Sequence, residues 1–351
     1  MNARPQFNFF FSLLIAFGTS TALASTPITV MSYNVENLFD TSHDEGKSDW
    51  AYLPLRSKRS EKVKSECQKI SNPQWRDECL YMDWNESVLR QKSLNLGKMI
   101  RSSFDGKGPD ILVLQEVENI TALTHLVDHG LLGMGYEYLI LREGPDQRGI
   151  DTAIISRLPL ITATDHNVSL PGPADTRPTR NILEASFKVN GKIITVFANH
   201  WPSQANPTEH REAAAKTLVK AAKRAEGRGE FVIAVGDFNS LRPELNGRIG
   251  QIIRGSNNEV FVDGIEKRLD RSQNYGPTSQ PGTHWYRGSW SFIDRVFVMQ
   301  SALRKGMDVK WSSIDVHAPD FAIRGPKPFR FNAEEADGYS DHLPLKLELE
   351  L

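Results

Sequence analysis

An α/β fold of mixed β-sheets with helices outside them is the architecture this sequence predicts. Short apolar runs such as residues 111–115 and 231–237 have the length and composition of buried strands. In the first half of the chain such runs alternate with segments of helical apolar spacing. Asn190-Gly191, set between residues 183–189 and 193–199, signals a tight hairpin and hence an antiparallel pair among them.

The elements follow in order. Residues 28–35 read as a strand, and 41–84, polar with scattered Trp and Tyr, as an inserted loop region. From Asn85, the positions Val88, Leu89, Leu94, Leu96, Met99, Ile100 and Phe104 recur at roughly helical spacing, and Gly106-Lys-Gly-Pro109 ends that helix. A strand over 111–115, a helix over 119–132 and strands over 136–141 and 152–156 come next. The hairpin follows, then an Ala- and Lys-rich helix over 208–225 closed by Gly227 and Gly229. Strands over 231–237, 293–299 and 343–349 complete the chain, the last with clear alternation. No linker-like change of composition interrupts them, so residues 26–351 are expected to form one domain.

Composition narrows the classes. The 351 residues carry a net charge of −1, with 39% apolar and 24% charged residues, as in an ordinary globular protein. Residues 1–24 read as a secretory signal peptide: a basic start at Arg4, a broken apolar stretch and Ala22-Leu23-Ala24 as the cleavage pattern. Its removal leaves 41 basic against 43 acidic side chains, which excludes a strongly basic nucleic-acid footprint over the whole chain. No other segment has the length and apolarity of a membrane span, so no stable membrane anchor is expected. A secreted or periplasmic location follows. In such an oxidising compartment, Cys67 and Cys79, both within the insertion, are expected to form a disulfide.

The functional signal is a series of polar residues at the ends of apolar runs: Asn34, Glu116, Asn199, His200, Asp237 and Asn239, Asp294 and Asp341-His342. Such groups are costly to desolvate, and a fold places them together at strand ends where something binds. Oxygen donors with little sulfur suit a hard cation such as Mg²⁺, and a hard cation among His, Asp and Asn suits phosphoester chemistry.

Six segments, Ser32-Tyr-Asn34-Val-Glu-Asn37, Leu114-Gln-Glu116-Val, Asn199-His200, Gly236-Asp-Phe-Asn239, Ile293-Asp294-Arg and Ser340-Asp-His342, together resemble the endonuclease/exonuclease/phosphatase superfamily, which includes deoxyribonuclease I. The resemblance spans nearly the whole mature chain. It implies a four-layer αββα sandwich of two packed mixed β-sheets and a divalent-metal-dependent phosphodiesterase or phosphatase. It also implies roles. Glu116 matches the principal metal ligand, with Asn34 beside it and Asp341 as a metal-side carboxylate. Asp237 matches the residue that orients or deprotonates the attacking water, and Asn239 holds phosphate or the carboxylate next to it. His342 matches the phosphate-contacting histidine, with Asp294 as the carboxylate that keeps it charged. Asp294 as a partner of Arg295 is the structural alternative.

Asp151 lies where deoxyribonuclease I has an acid that partners a histidine matching His200, so an Asp151–His200 pair is expected. The alternative is that Asp151 caps the turn after Gly149. Asn199 and Arg180 are candidate phosphate or substrate contacts. Mg²⁺ is the expected cofactor, with Mn²⁺ or Ca²⁺ able to substitute. The expected substrate is DNA or RNA, and the alternative is a lipid or small-molecule phosphoester of the sphingomyelinase kind. A non-catalytic binding protein would have lost Glu116, Asp237 or His342, and all three are present.

Overall fold

The computed structural model describes residues 27–173, 176–271 and 282–351. The expected signal peptide lies outside the described residues. In chain order the first elements are β1 (Ile28–Leu38), α1 (Glu61–Gln68), α2 (Pro73–Tyr81), α3 (Glu86–Arg101), β2 (Ile111–Val117), α4 (Ile120–Gly130), β3 (Tyr138–Leu141), β4 (Asp151–Ser156), β5 (Leu160–His166), β6 (Ile182–Val189) and β7 (Lys192–His200). They continue with α5 (Thr208–Gly227), β8 (Phe231–Asp237), α6 (Arg242–Asn246), α7 (Arg248–Arg254), β9 (Phe261–Asp263), α8 (Gly264–Arg271), β10 (His284–Tyr286), β11 (Ser289–Ser291), β12 (Asp294–Met299) and α9 (Gln300–Arg304). The short strands β13 (Asp308–Val309), β14 (Asp315–Val316), β15 (Ile323–Arg324) and β16 (Lys327–Pro328) precede the last, β17 (Leu345–Glu350).

Two mixed sheets form the centre. One runs β13-β17-β1-β2-β4-β3, with β14 also on β17, and the other runs β5-β6-β7-β8-β12-β9. Each holds a single parallel pair, β1 with β2 and β7 with β8, while its other pairings are antiparallel. The sheets pack face to face through β1, β2 and β4 against β7 and β8, with α3 and α4 covering the first and α5 the second. This is the expected αββα sandwich. Strands buried on both faces read as near-continuous apolar runs, and Phe231–Asp237 is buried at every position. The hairpin forms between β6 and β7, with Asn190 and Gly191 at φ 48° and 81°, the left-handed values a two-residue turn requires.

A parallel pair brings the C-terminal ends of both strands to one edge. Register sets Asn34 opposite Gln115 in the first sheet and His200 opposite Asp237 in the second. The polar strand ends are therefore gathered along one rim by topology. Gly236, at φ 139°, permits the close approach of β8 to β7, because a Cβ there would lie 2.1 Å from the Asn199 carbonyl oxygen.

The insertion is not the expected loop. Residues 61–81 form two short helices, α1 started by Ser60 and α2 by Asn72 with Pro73 at its first turn. Both are short and charged, and α2 has weak periodicity, which hid them. Cys67 and Cys79 are bonded, with Cα atoms 5.5 Å apart, and with Leu53 and Val63 they make a small separate core. Lys58 lies beneath it, donating to the carbonyls of Ala51, Glu78 and Met82.

Replacing Cys67 and Cys79 by Ser is expected to ease opening of the insertion by about 3 kcal/mol, the loop-closure value for a short loop. The readout is faster amide hydrogen exchange across residues 61–81, and exchange equal to the native protein's would show that the bridge adds no stability.

Candidate active site

Four groups meet where the two sheets face each other. The Asn34 amide nitrogen donates to Asp237 Oδ2 at 3.3 Å and faces Glu116 Oε1 at 3.5 Å. His200 Nε2 stands 3.7 Å from Asp237 Oδ2 and 3.8 Å from Glu116 Oε1. Glu116 occupies an irregularity in the β2–β4 register, at φ 65°. Strain of this kind in a non-glycine residue costs roughly 1–3 kcal/mol and re-aims the side chain. Its carboxylate accepts the Asn37 backbone N–H at 3.1 Å and is 16% exposed, the accessible end of an otherwise buried set.

Asp237 and Asp294 are direct cross-strand partners of β8 and β12. Burial, and after it the Asp294 charge, raises the Asp237 carboxyl to about 7. Besides Asn34, Asn239 and His342 hold the pair. Asn239, at φ 47°, donates its backbone N–H to Asp237 Oδ1 at 2.8 Å and its amide to Oδ2 at 3.1 Å. His342 Nδ1 bonds Asp294 Oδ2 at 2.8 Å. Burial alone would discharge that imidazole, but Asp294, then Asp341 and Asp237, outweigh it and hold its pKa well above the usual value. Arg295 does not compete for Asp294, because its guanidinium binds Asp263 at 2.6 Å. Ser340 ties the segment before β17 to β1, donating to the Asn34 carbonyl at 2.7 Å and accepting the His342 backbone N–H.

Two expectations are corrected. Asp151 does not pair with His200. Both of its oxygens turn to the Gly144 N–H at 3.0 Å, so it ties the preceding loop down, and burial raises it to about 7. Among the described residues His200 Nδ1 has no hydrogen-bond partner, and burial, then Arg180 and Arg148, push the ring well below its usual pKa. Asn199 is not a phosphate contact. It is fully buried, donating to the Phe197 and Val235 carbonyls and accepting Trp201 Nε1 at 3.0 Å, which sets the Trp201 ring.

Arg180 is buried, with its terminal nitrogens on Asp146 at 3.0 Å and the Trp201 carbonyl at 2.8 Å, so it acts on the site as a charge from behind. The accessible cation beside it is Arg148, 56% exposed, which the sequence did not single out.

Glu36 was also missed, although it stands two residues after Asn34. It is buried, pairs with Arg330, accepts the Asp341 backbone N–H at 2.8 Å, and is raised to about 8 by burial and then by Asp341. Lys92 crosses to this corner, donating to the Glu36 and Tyr339 carbonyls at 3.0 Å. Asp341 keeps its expected neighbourhood on this side, and one of its ligand atoms lies within 4.8 Å of those of His284 and His342.

The donor chemistry at Glu116, Asn34, Glu36 and Asp341 is oxygen-based, as a hard divalent cation requires. Glu36 and Asp237 are raised first by burial and then by the negative charge of a neighbouring carboxylate, Asp341 and Asp294 respectively. A divalent cation at the Glu116 end offsets that charge, so the residues fit the group.

Residues 68–351 match the sequence profile of the Endonuclease/Exonuclease/phosphatase family, and the chain belongs to that family of divalent-metal-dependent phosphoester hydrolases. The profile begins after the Asn34 segment, which solved structures cover. An endonuclease/exonuclease/phosphatase family protein of Bacteroides thetaiotaomicron has 18% identity and a TM-score of 0.55, over 93% of this chain and 98% of that one. A mannosyl-6-phosphatase of the same organism has 19% identity and a TM-score of 0.54, over 92% and 100%. A humanized D. rerio TDP2 has 14% identity and a TM-score of 0.54, over 93% and 99%. At these identities the likeness establishes the fold. No curated protein sequence matches the chain significantly.

Asn199→Ala is expected to destabilise the fold by roughly 1–3 kcal/mol, because Trp201 Nε1 loses its buried acceptor. Urea denaturation reads this, and a native midpoint with a raised KM would restore Asn199 as a substrate contact.

Proposed function

We propose that this protein is an exported, Mg²⁺-dependent phosphodiesterase that hydrolyses DNA or RNA by attack of an activated water. The observation that carries the reading is the buried Asp237–Asp294–His342 cluster beside the partly exposed Glu116. Glu116 and Asn34, with Asp341 nearby, would hold the cation, which would supply positive charge to a phosphate oxygen. Asp237, raised towards neutrality, takes the proton of the attacking water, and Asn239 fixes the carboxylate's direction. His342, kept charged by Asp294, donates to a non-bridging oxygen as negative charge develops there. His200 presents Nε2 between Glu116 and Asp237 and orients phosphate or water.

One observation favours a small-molecule phosphoester instead. A cleft of about 1060 Å³ runs from Glu36 and Asn37 along the insertion, and the carboxylates in its wall (Glu36, Asp77, Glu78, Asp83, Glu334 and Glu335) outnumber its basic side chains (Lys92, Arg324, Lys327 and Arg330). Carboxylates repel a phosphate backbone, on which nonspecific nucleic-acid affinity depends. The similar structures include both a TDP2 complexed with single strand DNA product and a mannosyl-6-phosphatase.

Purified protein assayed with Mg²⁺, with EDTA as control, against plasmid DNA, RNA, sphingomyelin, sugar phosphates and bis-p-nitrophenyl phosphate decides between them. Cleavage of the small esters without nucleic-acid cleavage overturns the nuclease reading. Asp237→Asn and His342→Ala are each expected to lower the rate by about 10²-fold or more, and near-native rates in either would break the role assignment. Export predicts a mature N-terminus after Ala24 in protein recovered from outside the cytoplasm, and an intact Met1 start there would contradict it.

A further inference from the structure

We infer that His284, Asp341 and His342 form a second cation site, which shares Asp341 with the oxygen set at Glu116 but adds two imidazoles and so suits a borderline transition-metal ion such as Zn²⁺ or Co²⁺. The backbone makes this juxtaposition. His284, at the start of β10, forms an antiparallel bridge with His342, and the Leu343 N–H donates to the Thr283 carbonyl at 2.7 Å. Residues directly opposite in such a bridge project to the same face, with Cβ atoms about 4.5–5.5 Å apart. The two imidazole centroids are 4.7 Å apart, and one ligand atom from each of His284, Asp341 and His342 lies within 4.8 Å of the others. Gly282 lets the hairpin sit this close, since a Cβ there would meet the Ser291 carbonyl oxygen at 2.4 Å.

The surroundings are those of a coordination site. His342 has Nδ1 on Asp294 at 2.8 Å, so Nε2 is the nitrogen left for an ion, in the carboxylate–histidine–metal arrangement that orients an imidazole ligand. His284 and Asp341 are partly exposed, which gives an ion its way in, while His342 closes the buried side. Two imidazoles and one carboxylate select Zn²⁺ or Co²⁺ over Mg²⁺, which takes oxygen donors. Three protein ligands leave a position open.

Coordination displaces the proton from His342 Nε2, so an ion bound here removes the donor that the proposed hydrolysis assigns to the phosphate. The inhibition rests on that proposed role, whereas the binding site does not.

The test is titration of the metal-free protein with Co²⁺, followed by visible absorption, and with Zn²⁺ by competition against a chromophoric chelator, both in excess Mg²⁺. The native protein is expected to bind one such ion with an imidazole-ligated spectrum. His284→Ala is expected to weaken it by about tenfold or more, and His284→Cys to keep it with a new thiolate-to-cobalt charge-transfer band. No imidazole-ligated ion in the native protein, or an unchanged spectrum and affinity in His284→Ala, overturns the site. Hydrolysis with added Zn²⁺, normalised to each protein's own Mg²⁺-supported rate, is read separately. Ion bound through His284 without inhibition would refute the role of His342 and leave the site standing.

Discussion

Two carboxylates buried as direct cross-strand neighbours, Asp237 and Asp294, are the constraint on which the functional end of this protein depends. Like charges opposite each other in a sheet destabilise it, and burial enlarges the cost. The fold resolves this by bringing donors from three other places: Asn34 from β1, Asn239 from the turn after β8, and His342 from the segment before β17. Ser340 then ties the His342 segment to the Asn34 carbonyl. The two sheets must therefore pack in one alignment, since any slip separates a donor from its carboxylate.

The same arrangement supplies chemistry. Burial and a neighbouring charge raise Asp237 towards neutrality, while nearby carboxylates hold His342 charged. One cluster thus holds a prospective proton acceptor and a prospective donor, set apart by environment rather than by residue type. Glu116, in its strained irregularity, stays accessible. The price of this polarity falls on residues behind the site. Arg180 is immobilised on Asp146, Asn199 on two carbonyls and Trp201, and Lys92 on the corner beside Glu36.

The disulfide-tied insertion adds a boundary that the sheets do not provide. Its helix α2 walls the cleft leading from Glu36, facing the short strands β15 and β16 across it. Substrate discrimination in such a protein is expected from loops carried on a rigid scaffold, and here the loop has its own helices, its own small core and a covalent closure.

Much of this was legible in the chain alone. Apolar runs and the Asn190-Gly191 turn marked the main strands, and the polar residues ending those runs marked the functional set, because both are local patterns with local causes. The helices α1 and α2 escaped because they are short and highly charged, and α2 carries little periodicity. The Asp151–His200 pair failed because a carboxylate takes the nearest backbone donor, here Gly144, wherever the loop brings one. Asn199 looked like a ligand and proved to be a brace, since type and strand-end position are the same for both. Glu36, Arg148 and His284 became members of the site's surroundings only through contacts with residues far away in sequence. The sequence by itself determined which residue types stand at which strand ends. The tertiary structure decided which of them meet, because distances between side chains on different sheets follow from register and packing.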